Sequence, residues 1–552
     1  MNIRRGFTPP GCRTVCAAAV LALMAGQEVL AVELVNNDSY TIRWDNTIKY
    51  SVARRTTGQS AGLLADANVN DGDYSFNKGD LISNRADLLS EFDYVIKDKA
   101  NTGISISAAA WYDRVYNRSH RPIPLDQVNS WSVPNDQFTQ YVRDVNGRRV
   151  ELLNAFVHGG FDLGEHNLSF RLGRHTLLWG ESLLLASNGI AAGMGPVDAV
   201  KALSLPGATT KEIFMPVNQL SGAFSLTKQW DIAGYYQLEY RETRVPAPGS
   251  YFSTGDLVFQ GGERINAVQG LPFGNIYMTR GADIKAPDAR GQWGLAAKYR
   301  DAEAGRDIGL YYLRYSDKTP QVYTQVTAPP GAVSGFVPGG ATIGSYFFLY
   351  PQKIDLVGAS FATLVGDANV SGEVSMRHNL PLMSVGMNVA PGAIGVNGTN
   401  NFLHATGDTL HVQVSWIKSL GPGALWEAAD FVGEIGGHRL MKVTRNEASL
   451  DTTRVRKAFG TGMTFEPKWY QALPGTDLTM PVNVSWNFSG LSVVDPAFAG
   501  GAAHGGSVSV GLKFTYEGRW RGGVNYTRYK ARDGVNPYLD RDYVAANVSY
   551  SF

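Results

Sequence analysis

Arg85, Asp87, Glu91 and Asp93 are separated from one another by even numbers of residues. In an extended chain that spacing sets all four side chains on one face. Trp111 and Asp113 obey the same rule, as do Glu373 and Arg377, and so does the longer series Arg171, Gly173, His175, Trp179 and Glu181. Such faces offer charges of both signs, hydrogen bonds and aromatic surface to whatever space they enclose. A selective passage uses these groups, because charged rings, hydrogen-bonding groups and width decide what goes through it. The same charges, paired across an enclosed space, would simply keep it wet and hold its wall in shape. Spacing alone leaves both readings open.

Catalysis and metal chemistry find less support. Serine hydrolysis needs a nucleophile, a base and an orienting partner in contact, and no Gly-x-Ser-x-Gly elbow lies between a strand and a helix. His411 and Ser415 share a face but lie too far apart along a strand to hydrogen bond directly. The stretch Asp66–Asp73 has the look of a calcium loop, yet Asp71 occupies the sixth position, where glycine is required, and Asn77 the twelfth. It reads as a turn-rich surface loop, with a cation site as the alternative. No catalytic residue, metal ligand or cofactor is expected.

The elements that carry these residues alternate. In Tyr40–Val52 one face is aromatic and aliphatic apart from Asn46, and the other is Thr41, Arg43, Asp45, Thr47, Lys49 and Ser51. Val508, Val510, Leu512, Phe514 and Tyr516 repeat the pattern, as do Leu410, Val412, Val414 and Trp416. About eighteen such segments of roughly ten residues can be placed, with sixteen as the alternative count, and this is the length a tilted strand needs to cross a membrane. Short turns such as 164–167, 228–229 and 517–519 alternate with long connections such as 53–83, 117–150, 244–290 and 317–353. The fold class expected is therefore all-β: one closed transmembrane antiparallel barrel over residues 32–552, with short periplasmic turns and long extracellular loops. A closed barrel is the β-structure that leaves no backbone group unpaired in hydrocarbon. Tyr40, Tyr50, Trp111, Trp520 and Tyr526 cap alternating segments, as interfacial girdles would.

Residues 1–31 read as a secretory signal peptide. Arg4, Arg5 and Arg13 precede the apolar run Ala17–Ala25, and Val29, Leu30 and Ala31 form the small-residue exit. Both cysteines, Cys12 and Cys16, fall inside it. Removing Arg4, Arg5, Arg13 and Glu28 from the 50 basic and 49 acidic residues leaves 47 against 48. That balance gives nucleic acid nothing to bind. Past the signal no apolar run reaches the ~18 residues of a spanning helix.

Several stretches resemble a family of proteobacterial outer-membrane barrels of unknown function. They are Asn84–Asp93, Trp111–Asp113, Arg171–Ser182 and Gly372–Arg377, and the Gly-Arg-x-x-x-x-Trp-Gly-Glu-Ser run ending at Ser182 is the most specific. His175 stands where relatives are expected to carry glutamine. The family is similar in style to long-chain fatty-acid transporters. The resemblance implies a Gram-negative outer-membrane channel for apolar or amphipathic molecules such as fatty acids or steroids, with a periplasmic lipid-carrier-like protein as a partner. The alternatives are an outer-membrane lipid or ester hydrolase and a non-conducting envelope scaffold. The C-terminal run Val544, Ala546, Val548, Tyr550 and Phe552 resembles the strand read by the barrel-assembly machinery.

Residues 183–217 form the third long connection, and much of it is small or apolar, including Asn188–Pro196. Val197–Leu203 has the composition of a short helix. A loop meant only for water would be more polar. The segment is expected to fold into the lumen as a constriction or plug, with Asp198 and Lys201 facing the path; the alternative is a surface loop packed on its neighbours.

Overall fold

The computed structural model describes residues 33–552 apart from 99, 205–213, 273, 285–290, 391, 392, 394, 533 and 534. The expected signal peptide, residues 1–31, lies outside the described residues, as does part of the 183–217 connection. Among the described residues eighteen antiparallel strands close one barrel. In chain order they are β1 Tyr40–Arg55, β2 Leu81–Ile96, β3 Gly103–Asp113, β4 Arg148–Leu163, β5 His166–His175 and β6 Val217–Ser225. There follow β7 Trp230–Gln237, β8 Trp293–Asp301, β9 Arg306–Tyr315, β10 Ile354–Val365, β11 Ala368–Pro381 and β12 Thr406–Leu420. The last are β13 Ala428–Arg445, β14 Lys457–Leu473, β15 Thr476–Asn487, β16 Gly505–Tyr516, β17 Trp520–Ala531 and β18 Tyr543–Ser551. Each pairs with its neighbour in sequence, and β18 returns to β1 with Ser551 opposite Thr47 and Tyr543 opposite Arg55. Beyond that ladder the backbones of Phe552 and Asn46 exchange two hydrogen bonds of 2.9 Å.

β15 is interrupted after Thr479, where Pro481 has no N–H for the ladder. The outer surface follows from the alternation. Ile48, Leu88, Ile104, Leu220, Val357 and Val414 are 40–59% exposed. Such a belt of bare aliphatic side chains around a closed sheet is stable in hydrocarbon, where it meets lipid chains, and not in water. No helix among the described residues is long and apolar enough to cross a membrane; the strands do so. The protein is an outer-membrane β-barrel, and its eighteen described strands are joined by eight short turns at the periplasmic end and nine longer connections at the extracellular end.

Some expected boundaries are corrected. The strand expected to carry Arg171 to Glu181 on one face stops at His175, β7 stops at Gln237 well short of the 244–290 connection, and β13 is the longest wall strand, reaching Arg445. The long connections after β7 and β9 also hold a second, five-stranded sheet, built from Arg264–Val268, Asn275–Arg280, Gln321–Val326, Gly335–Val337 and Gly340–Leu349. The stretch Asp66–Asp73 is not simply a surface loop, because Asn70, Asp71 and Asp73 are buried. Asp73 accepts from Arg55 at 2.9 Å and pairs with Arg541, while Arg55 also reaches Asp540 at 3.1 Å. This buried network ties the connection after β1 to the one before β18, beside the seam where the barrel closes.

Candidate functional site

The distinctive element lies inside the barrel. Two residues before β5 ends, Gly173 adopts φ +123°, a conformation that L side chains rarely take, and a Cβ there would collide with the carbonyl oxygen of Ala155. His175 then anchors the departing chain. Its Nε2 lies 2.8 Å from Ser221 Oγ and its Nδ1 3.0 Å from the Gly173 carbonyl oxygen, while its own carbonyl accepts from Gln219 Nε2 at 2.9 Å. Gly173→Ala is expected to cost about 1–3 kcal/mol through strain at a disallowed backbone angle, read as a lower unfolding midpoint in urea with the barrel still assembled.

From Thr176 the chain crosses the lumen along the inner wall of β7 to β14. Trp179 is 3% exposed and packs edge-on against Tyr235, centroids 5.2 Å apart, and beside Tyr311 at 6.0 Å. Beyond it, two inward carboxylates hold the backbone. Glu373 on β11 accepts from the amides of Glu181, Ser182 (2.8 Å) and Ile190 (2.8 Å). Glu434 on β13 accepts from the amides of Leu183 (3.2 Å), Leu184 (2.5 Å) and Leu185 (2.5 Å). Arg377 donates to the carbonyl oxygens of Asn188 and Gly189 at 2.9 and 3.0 Å. An irregular segment inside a barrel lacks ladder partners for its backbone. Charged wall side chains supply them, through hydrogen bonds stronger than neutral ones.

The wall is also recessed where the segment passes. A Cβ on Gly358 would lie 2.9 Å from Ile190 Cδ1, and one on Gly462 would lie 2.6 Å from Leu184 Cβ. Asn188 Oδ1 meets the Nδ1 atoms of His411 and His438 at 3.0 and 3.2 Å. Thr409 occupies the other nitrogen of His411 at 3.0 Å, and Ser415 Oγ pairs with Ser371 Oγ at 2.7 Å. The His411 and Ser415 side chains are thus engaged with other partners.

The segment ends in a short helix, Ala199–Ser204, close to the expected 197–203. Asp198 caps it by accepting from the Lys201 amide at 3.1 Å, and pairs with Arg244. Arg244 also bonds Glu151 at 2.9 Å, and Glu151 takes a second guanidinium from Arg241. Burial alone would lower the pKa of Arg244; the adjoining Asp198 and Glu151 carboxylates outweigh it and raise it. The Lys201 ammonium stands 4.9 Å from the centre of the Trp111 ring, whose other cationic neighbour, Arg85, is 4.7 Å away.

The expected site residues therefore divide. Arg85, Glu91, Asp93, Trp111 and Asp113 face inward in register, Arg85 opposite Asp113 and Asp87 opposite Trp111. Arg85 bonds Asp87 at 2.8 Å, Asp93 accepts from Ser105 at 2.5 Å, and Asp113 accepts from Ser83 at 2.6 Å. Arg171 also faces inward, 5.7 Å from the Phe156 ring. Trp179 and Glu181 do not share the β5 face, because the strand has already ended; both belong to the crossing segment. Glu373 and Arg377 point inward as expected, but they lie beneath the segment and bind its backbone. Asp198 and Lys201 were expected to face the path, yet they are 1% and 3% exposed and are held by Arg244 and Trp111.

Sequence reading missed Glu434, Glu151, Arg241, Arg244 and Asn188. One signal was available for Glu434, a carboxylate at an inward position of a strand with Gly436 next to it on the same face.

Among solved structures, the fold is similar to Acinetobacter baumannii OccAB3, at 8% identity and TM-score 0.43, over 93% of this chain and 99% of that one. It is similar as well to Pseudomonas aeruginosa OccD3 (OpdP), at 10% identity and TM-score 0.42, over 97% of each chain. The outer-membrane channel DcaP of Acinetobacter baumannii aligns at 9% identity and TM-score 0.38, over 94% of this chain and 99% of that one. A search of curated proteins gives no match. Residues 13–552 match the family described as protein of unknown function, DUF1302, and the chain belongs to that family.

Proposed function

We propose that this barrel is an outer-membrane channel for small amphipathic molecules, such as fatty acids or steroid-like compounds, and that the segment from Thr176 to Leu203 sets the width and chemistry of its path. The observation that carries this reading is the capture of that segment inside the lumen by Glu373, Arg377 and Glu434. An eighteen-strand barrel without such filling encloses a wide aqueous space.

The two halves of the lumen differ. Toward the periplasm the wall carries opposed charges, with Arg43 opposite Asp93 and Lys49 opposite Asp87; Arg43 is exposed although it faces inward, so water reaches it. Toward the extracellular end the segment adds apolar surface, anchored on a buried cluster that includes Trp179, Ile190, Met194 and Leu356. A solute with a polar head and an apolar body finds partners in both halves.

The test is single-channel recording in planar bilayers, with solute uptake into proteoliposomes. Replacing residues 180–195 by a short Gly-Ser linker is expected to raise conductance several-fold and to let small sugars through as readily as fatty acids. Unchanged conductance and unchanged solute preference would reject the segment as the determinant of the path.

A further inference from the structure

Arg439 on β13 and Lys457 on β14 are direct cross-strand partners. They lie on the outer face of the barrel, because Glu434, Gly436 and His438 occupy the inward positions of β13. Both side chains are exposed, and among the described residues neither has an ion-pair or hydrogen-bond partner. Like charges directly opposite each other weaken a sheet unless something of the other sign lies between them. Lys442, also exposed, adds a third positive charge nearer the extracellular end. The nearby acidic groups are already engaged. Asp408, opposite Lys442, binds His378 at 2.6 Å, and Glu447 pairs with Arg456 at 3.6 Å.

Height in the membrane identifies the environment. From Ala429 to Arg439 the outward positions of β13 are Ala429, Phe431, Gly433, Ile435 and Gly437, none of them charged. Ten residues at about 3.3 Å each, tilted by about 40°, span roughly 25 Å, the height of the apolar band of such barrels. The basic pair therefore stands where hydrocarbon gives way to headgroups in the outer leaflet. Directly below it Phe459, 57% exposed, stacks on Phe488 with centroids 5.6 Å apart.

We propose that Arg439, Lys457 and Lys442 form a docking site for the phosphate-bearing headgroup of an outer-leaflet glycolipid, with an acyl chain lying along Phe459 and Phe488. A guanidinium and an ammonium side by side match a phosphate in charge and in donor geometry. The aromatic pair provides what the acyl chain of the same molecule needs. The site is independent of whatever passes through the lumen.

The full barrel, purified in mild detergent, is titrated with bisphosphorylated lipid A, with its dephosphorylated form and with phosphatidylglycerol, and bound lipid is counted by native mass spectrometry. The wild type is expected to retain one bisphosphorylated glycolipid and to prefer it to both other lipids. The R439A/K457A variant is expected to bind it about thirtyfold more weakly, at roughly a factor of five for each basic group near an anionic surface. K530A, which removes an outward, exposed lysine on β17, is expected to bind as the wild type does. Heat-modifiable gel migration verifies that each variant is folded. If the double variant fails that check, R439Q and K457Q are measured singly, each expected at about a fivefold loss. Undiminished binding by the folded variants, or equal binding of the dephosphorylated glycolipid or of phosphatidylglycerol, overturns the proposal.

Discussion

Replacing Glu434 by alanine is expected to accelerate amide hydrogen exchange at residues 183–185 by about 10²- to 10³-fold, while exchange in β12, β13 and β14 stays slow. Three backbone amides, those of Leu183, Leu184 and Leu185, converge on this one buried carboxylate. Hydrogen bonds to a charged acceptor are worth about 1.5–3 kcal/mol each. Because the three share one acceptor their contributions do not add fully, and a combined loss of about 3–4 kcal/mol sets the expected range of exchange rates. Alanine offers no acceptor, and the lumen-facing backbone has no ladder to fall back on. Glu434→Gln keeps one carbonyl oxygen and is expected to fall between the two.

The consequence for conduction follows from the same contacts. With Glu434→Ala the amides of Leu183 to Leu185 lose their acceptor while Glu373, Arg377 and the Asn188 contacts still hold the segment further along, so the recorded channel should become noisier, with excursions to higher conductance. Adding Glu373→Ala removes the acceptor for Glu181, Ser182 and Ile190 and should make the larger conductance persistent. Exchange that stays slow in the double variant would mean that packing into the glycine recesses, not the carboxylates, fixes the segment. The barrel is expected to remain assembled in every case, since none of these changes touches its ladders.

The wall was legible in the sequence because hydrocarbon imposes a simple demand. Every second side chain of a strand such as Tyr40–Val52 must suit lipid, and a period of two over ten residues survives local irregularity. What fills the wall obeys no period. The path from Thr176 to Leu203 is set by where Glu373, Arg377 and Glu434 stand on strands about 190–250 residues away in sequence, and no local pattern records such a partnership. The apolar, small-residue composition of Asn188–Pro196 did betray a segment out of bulk water. It could not tell a constriction facing the path from one packed on the wall. The roles expected of Asp198 and Lys201 failed for that reason: charge suggested a lining, whereas Arg244 and Trp111 draw both residues under cover. The extracellular sheet escaped notice because four of its strands are short, Gly335–Val337 the shortest, and the longer Gly340–Leu349 carries Phe347, Phe348 and Leu349 in succession, which puts apolar groups on both faces.

Trp179 separates these two kinds of role most sharply. Had β5 run on to Gly180, its indole would have faced the solute alongside Arg171, and trimming it would have altered passage without altering rigidity. In the observed fold it is the first anchor of the crossing segment: its amide donates to Met194 Sδ at 3.0 Å, and its ring fills the space between Tyr235, Tyr311 and the recess at Gly294. Trp179→Ala therefore leaves a cavity in a buried aromatic cluster and is expected to cost about 3–5 kcal/mol of local stability. That loss should read out as exchange at residues 177–182 faster by two orders of magnitude or more, accompanied by higher conductance. Trp179→Phe, which keeps part of the ring contact with Tyr235, is expected to recover more than half of the protection. If Trp179→Ala changes solute preference while exchange at 177–182 remains as slow as in the wild type, the residue lines the path after all and the segment is anchored elsewhere.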